Sequence, residues 1–224
     1  MKITILNGSP KPEKSASEGM ANALRERIER TAARTEQTEQ TEQTEQTEQP
    51  DVTICHAAKQ RHAEIVDILA GSDVLVLIFP LYVDGIPSHL LRLLDENQEA
   101  ISEAASGATV YAVVNNGFYE AGQNNNAIEI IRNFSEKTGL QWGQALGIGA
   151  GGMVGVAPIG RGPMKNLGKA LDQLTDRILH RKTDPDQLIE PNFPKFLYYK
   201  AAHIGFRQNA RKHGLKVKQL YDRP

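Results

Sequence analysis

The sequence predicts an α/β fold in which a parallel sheet of five strands is covered by helices on both faces, and three observations carry that prediction. Strand-like apolar runs alternate five times with segments of helical period. The run Val74-Leu75-Val76-Leu77-Ile78-Phe79 is apolar at every position, as a strand buried on both faces must be. At 224 residues with 40% hydrophobic content, the chain suits one domain able to bury a sizeable core.

The first strand, Ile3-Thr4-Ile5-Leu6, leads into Asn7-Gly8-Ser9-Pro10 and a loop carrying Lys11, Lys14, Ser15 and Ser17. A helix follows over residues 18–30, with Met20, Leu24 and Ile28 on one face, so its unpaired amides point back at the strand end and attract anions. Ser15 and Ser17 are natural helix caps whose hydroxyls can turn to the helix amides or to phosphate oxygens. The loop has no GxxxxGK[ST], which disfavours a nucleotide triphosphatase, and no GxGxxG at this first turn. A small phosphate monoester suits it best.

Between residues 35 and 49 the triplet Thr-Glu-Gln occurs five times in succession, with no apolar residue to bury. This run reads as a mobile insertion. A helix that leaves the carboxyl edge of the sheet returns the chain to the opposite edge, so the run is expected far from any ligand.

The remaining elements follow in order: a strand over 52–55, a helix over 60–70, the strand over 74–79, a helix over 88–105, a strand over 109–114, a helix over 126–138, a strand over 144–148 and a helix over 163–181. In such a sheet, ligands gather outside the carboxyl ends of the strands.

Three of those ends carry candidate chemistry. Beside the first loop stands the segment from Phe79 to Pro87, including Pro80, Leu81, Tyr82 and Val83; prolines stiffen both of its ends, and backbone amides with the flat Tyr82 ring suit a planar heterocycle. The third loop holds Asn115, Asn116, Gly117, Phe118, Tyr119 and Glu120, where Asn116-Gly117 predicts a turn of positive φ. Asn124-Asn125-Asn126 reads as the cap of the following helix. Gly147-Ile148-Gly149-Ala150-Gly151-Gly152 satisfies GxGxxG literally, but no helix opens directly after it, so it reads as a loop over the ligand or against a partner copy.

Composition narrows the classes further. A formal charge of −1 demands neither nucleic acid nor an acidic surface, and Cys55 as sole cysteine excludes an internal disulfide or a multi-cysteine metal site. No metal ligand set is expected. Met1-Lys2-Ile3 enters a strand directly without a signal peptide and no apolar run approaches a membrane span, which together predict a cytoplasmic protein. Residues 190–224 form a strongly basic segment with Phe196, Tyr199, His203 and Phe206 at helical spacing. It is expected to cover a core or dimer surface.

The motifs NGSPKP, PLYVDGIP and NNGFYE resemble, in order and spacing, those of the flavodoxin-like NAD(P)H-dependent FMN reductases and quinone reductases. The resemblance covers residues 1–181 apart from the repeat. It implies a flavodoxin-like three-layer sandwich with strand order 2-1-3-4-5 over residues 1–189, with residues 190–224 as a helical extension. It also implies FMN as cofactor and NAD(P)H as co-substrate, a small-molecule electron acceptor and a homodimer. By the same carry-over, Ser9, Lys11, Ser15 and Ser17 would bind the FMN phosphate, Pro80, Leu81, Tyr82 and Val83 would follow its ring, and Asn116, Gly117 and Phe118 would meet its polar edge. The chain departs from the family pattern at Pro12-Glu13-Lys14, where many relatives carry Gly and Asn. Two other readings share this fold: a flavodoxin-type electron carrier, and a flavin-free interaction domain.

Overall fold

In the computed structural model, residues 1–11, 13–42 and 49–222 are described, with the side chains of 35–42 outside that description. The strands are β1 (Lys2–Asn7), β2 (Asp51–His56), β3 (Val74–Pro80), β4 (Thr109–Asn115), β5 (Gln141–Ile148) and β6 (Gln187–Ile189). All pair in parallel in one sheet, in the order β2-β1-β3-β4-β5-β6. The expected five-strand order is present, and a sixth strand extends it beyond β5. β6 escaped the sequence because three residues, one of them Gln187, are too few to show a strand period.

Seven helices are described: α1 (Ala16–Glu42), α2 (His62–Leu69), α3 (Ser88–Glu96), α4 (Gln98–Ala104), α5 (Asn125–Lys137), α6 (Lys165–Leu179) and α7 (Lys195–Lys212). The single helix expected over 88–105 is two, because Asn97 takes φ −121° and ψ 23° and its amide reaches the Leu93 carbonyl and the His62 ring. α1 does not end near residue 30. Its backbone stays helical through the first eight residues of the repeat, as good helix formers in every triplet allow. Residues 43–48 of the expected mobile run lie outside the described residues.

Strand alternation divides the core in two. Leu6, Leu75, Leu77 and Phe79 pack with Ile65 of α2, Leu90 and Leu93 of α3 and Ile131 of α5. On the other face Ile3, Ile5, Val76, Ile78 and Val113 meet Met20, Leu24 and Ile28 of α1 and Leu167, Leu171 and Leu174 of α6. Cys55 is buried in the first cluster, and burial pushes its thiol up to about 12. At the far end of β4 the Tyr111 hydroxyl is shared between the carbonyls of Arg177 and Lys182, each at 2.8 Å, which ties the sheet to the end of α6.

The chain divides into two units, Met1–Pro191 and Asn192–Pro224. The sheet and its six flanking helices make up the first. α7 and a short 3-10 turn over Val217–Tyr221 make up the second. No helix among the described residues is long and apolar enough to cross a membrane.

Candidate functional site

The site begins with two asparagines that close otherwise apolar strands. Asn7 ends β1 opposite Ile78, and Asn115 ends β4 opposite Pro80. By alternation both share a face with Ile5 and Val113, the face on which α1 starts. Asn115 is buried; its Nδ2 donates to Ser17 Oγ and to the Phe79 carbonyl, both at 3.1 Å. Asn7 is fully buried; its Oδ1 accepts the Ser9 amide at 3.0 Å, while Nδ2 has no partner. A buried amide hydrogen left unpaired is expensive, so this atom marks where an acceptor belongs. Neither asparagine stood among the sequence-predicted site residues, although a polar residue closing an apolar strand was the available signal.

The first loop rises from this floor. Gly8 continues the sheet by donating to the Ile78 carbonyl at 2.9 Å, and a Cβ there would stand 2.5 Å from Leu90 Cδ2. A side chain here would have to displace the end of Leu90 on α3, which favours glycine. Ser9 is buried and its hydroxyl accepts the Lys11 amide at 3.2 Å, while Lys11 itself is exposed. Ser15 caps α1 by accepting the Glu18 amide at 3.0 Å. Ser17, 1% exposed, turns inward to Asn115 and so faces the floor of the site. The amides of Ala16 and Ser17 are among those that helix geometry leaves without a carbonyl, and they sit at the positive end of a 27-residue helix. Glu18 opposes them: its carboxylate accepts the Lys14 amide at the rim of the same loop.

Two histidines flank the loop. His56, opposite Asn7 on β2, has a buried Nδ1 without a partner. Burial holds its pKa below the ordinary value, Lys59 adds to this, and Glu18 acts against it. His89 hydrogen-bonds the Gly8 backbone and keeps Nε2 buried and unpaired; burial lowers its pKa as well. Both rings are neutral near pH 7.

The second loop is held from within and from the side. Pro80 ends β3, and the Leu81 amide donates to the Asn115 carbonyl at 2.7 Å. Tyr82 and Gly85 exchange both backbone hydrogen bonds at 3.0 Å, and the two residues between them, Val83 and Asp84, take φ of 47° and 56°. This is a two-residue turn of the mirror-image type that normally demands Asn or Gly. It lifts Tyr82, half exposed, and Val83, 99% exposed, to the surface.

The third loop corrects an expectation. Gly117 is not among the positive-φ residues; Asn116 shapes the turn instead, its Oδ1 accepting the Phe118 amide at 2.9 Å and its Nδ2 donating to the Glu120 carbonyl at 3.1 Å. Asn116 is thus buried and committed to the loop, while Gly117 and Phe118 are exposed. The glycine stretch after β5 packs on this loop, with the Gly151 amide on the Asn116 carbonyl at 2.7 Å and the Ala150 amide on that of Phe118 at 2.5 Å. At Gly149 a Cβ would lie 2.1 Å from the Tyr119 carbonyl oxygen. These glycines permit backbone contact, and a 3-10 turn over Gly151–Gly155 follows them in place of a nucleotide-binding helix. Asn124 does not cap α5; its Nδ2 bonds the carbonyls of Ala121 and Ile148 at 3.0 and 3.3 Å.

The predicted residues thus divide by role. Lys11, Tyr82, Val83, Gly117 and Phe118 present themselves at the carboxyl edge, whereas Ser9, Ser17 and Asn116 build the loops from beneath. The unpaired Asn7 amide, the start of α1 and two exposed aromatic rings fit an anionic tail joined to a flat ring system.

Comparison with curated proteins finds no match. Among solved structures, the fold is similar to an FMN-dependent NADH-azoreductase from Bacillus anthracis in complex with FMN, at 13% identity and TM-score 0.55, covering 79% of this chain and 98% of that one. It is similar to an NADH:FMN oxidoreductase in apo form, at 14% identity and TM-score 0.59, covering 82% and 90%. It is also similar to a short-chain flavodoxin associated with a bacterial microcompartment, at 13% identity and TM-score 0.51, covering 82% and 99%. At these identities the likeness speaks for the fold. Residues 1–137 match the family described as flavodoxin-like fold, and with the strand order seen here, the chain belongs to that family.

Proposed function

We propose that this chain is an FMN-dependent oxidoreductase that takes hydride from NAD(P)H and delivers electrons to a small acceptor of the quinone, flavin, nitro or azo class. The observation that carries the reading is the buried, unpaired Nδ2 of Asn7 beneath the start of α1, with exposed Tyr82 and Phe118 at the same sheet edge. Bound FMN would supply a ring able to accept two electrons from a nicotinamide and release them to an acceptor.

The chain's own residues would bind and orient. The amides at the start of α1, with Lys11, Ser9 and Ser15, would hold the phosphate, and the Ser17–Asn115 link would fix that helix start relative to the strand ends. Pro80, Leu81, Tyr82 and Val83 would lie along the ring, and their tight turn would limit its movement. Gly117 and Phe118 would face the polar edge, with Asn116 setting their backbone. No side chain here is assigned a proton-transfer role. A homodimer with the flavin at its border accords with the same reading, and deletion of residues 35–49 would leave cofactor affinity and turnover nearly unchanged, since α1 leads away from this edge.

The flavodoxin-type carrier remains the second reading, because exposed aromatic rings beside a flavin site, as at Tyr82 and Phe118, also suit a bound redox module that docks partners. The strongly basic carboxyl-terminal segment speaks against such a carrier. The test is to add FMN to the purified protein, record the visible spectrum, and titrate anaerobically with NADH and then NADPH. Reduction by either nicotinamide, with steady-state turnover on menadione, supports the reductase; flavin uptake without it supports the carrier. Failure to bind FMN rejects both.

A further inference from the structure

We infer that the carboxyl-terminal unit is a docking element for an anionic phospholipid surface. α7 is 18 residues long, yet Ala210 is its single buried residue. An isolated helix of that length is marginal in water, so this one needs something to lie against. Its exposed side chains say what. Phe196, Tyr199, Phe206 and, between them, His203 fall on one stripe at helical spacing, and Lys200, Arg207 and Arg211 run along its flank. Lys200 Nζ lies 6.0 Å from the centre of the Phe196 ring, so cation and aromatic ring share one surface. Lys200, His203 and Arg207 line, with Ile204 and Tyr221, a cavity of about 310 Å³. Cations beside apolar walls match a phosphate headgroup and the first carbons of its acyl chains.

Charge points the same way. The chain carries 26 Lys and Arg against 27 Asp and Glu; seven of the cations and none of the carboxylates lie between Asn192 and Tyr221, leaving a net −8 elsewhere. Aromatic and aliphatic side chains beside basic ones suit a headgroup layer, where acyl carbons meet the former and anionic lipid attracts the latter. A nucleic acid would use the cations and leave Leu197, Ile204, Leu215 and Leu220, all exposed, without a role. A rigid protein partner would need an apolar recess of matching shape, and the most exposed apolar residues of the first unit, Val83, Val156 and Phe118, belong to the carboxyl edge of the sheet and its loops. A fluid anionic surface satisfies both kinds of side chain at once. This assignment stands independently of the flavin reading.

The test uses the full chain with sonicated vesicles of phosphatidylcholine alone and with about one third phosphatidylglycerol. The expected result is cosedimentation with the anionic vesicles only, weakening as salt is raised. Lys200→Glu with Arg207→Glu should lower the affinity at least tenfold while far-UV circular dichroism and the thermal midpoint stay as in the parent. Phe206→Trp in a Trp142→Phe background, which removes the chain's own indole, gives a second readout, a blue shift of emission on adding anionic vesicles. The inference is overturned by absence of binding at low salt, by equal binding of the charge-reversed variant, or by tighter binding to duplex DNA than to the vesicles. It is equally overturned if the indole emission introduced by Phe206→Trp is already blue-shifted in buffer and moves no further, which would mean that a second copy covers the helix.

Discussion

Asn115 Nδ2 donates to Ser17 Oγ at 3.1 Å, and this bond joins the end of β4 to the first turn of α1 across the width of the candidate site. The same amide bonds the Phe79 carbonyl, so one side chain sets the spacing of the α1 start, β3 and β4. Asn115→Leu should destabilise the protein by about 1–3 kcal/mol, because Ser17 and the Phe79 carbonyl are left buried and unsatisfied. Ser17→Ala should cost less, about 0.5–1.5 kcal/mol, since the Phe79 bond survives. Urea denaturation of both variants checks the order. Equal effects would mean that the two bonds of Asn115 are not separable.

Val83 is a β-branched residue at φ 47°, wholly exposed, in a turn built for Asn or Gly. No contact accounts for keeping strain there, and strain of this kind concentrates at functional sites. Val83→Asn should stabilise the fold by about 1 kcal/mol, the usual penalty of a left-handed residue. The same change should lower affinity for FMN, as apolar surface leaves the ring's path. A thermal midpoint and a fluorescence titration on one variant read both effects, and a drop in the midpoint would show that the turn is unstrained.

The neutral histidines make stability depend on pH with a definite sign. For His56 and His89 the folded-state pKa lies below the ordinary 6.5, in each case first because of burial. Above 6.5 neither folded nor unfolded chain protonates them, and their contribution is fully present. As the pH falls through 6.5 the unfolded chain binds protons first, so stability is lost until the folded-state pKa is passed. Urea midpoints should therefore fall between about pH 7.5 and 5, and the slope should flatten in His89→Gln. An unchanged slope in that variant would assign the dependence to His56 and other groups.

The fold was legible where residues were apolar over a full period: β1, β3, β4 and α6 follow from their patterns within a few positions, and so does the start of α1 but not its end. The break at Asn97 was not, since it depends on the His62 ring reached from α2. At the site, the sequence placed the three loops at the correct strand ends. The resemblance carried Ser17 and Asn116 over as ligand contacts; the Asn116 side chain closes on Phe118 and Glu120 within its own loop, whereas Ser17 is buried on Asn115, a partner 98 residues away. Such partners arise only on folding. Asn7 and Asn115 show the converse: a polar side chain ending an apolar strand must be paired or used.

Glu18 sets the last expectation. Its carboxylate accepts the Lys14 amide at the mouth of the first loop, one turn into the helix whose start would hold phosphate. There it favours the helix through its dipole and repels an arriving dianion. Glu18→Gln keeps an acceptor for the Lys14 amide and removes the charge. Stability should fall slightly, by about 0.3–1 kcal/mol, as the favourable dipole contact is lost. FMN should bind more tightly, by about two- to fivefold, which is the same range of energy with its sign reversed for the ligand. Lys11→Ala should act oppositely, weakening FMN without a matching change in stability, because Lys11 is exposed. Riboflavin, which lacks the phosphate, is the control. If Glu18→Gln changes riboflavin and FMN affinity alike, the phosphate does not reach the start of α1, and the cradle must be sought elsewhere.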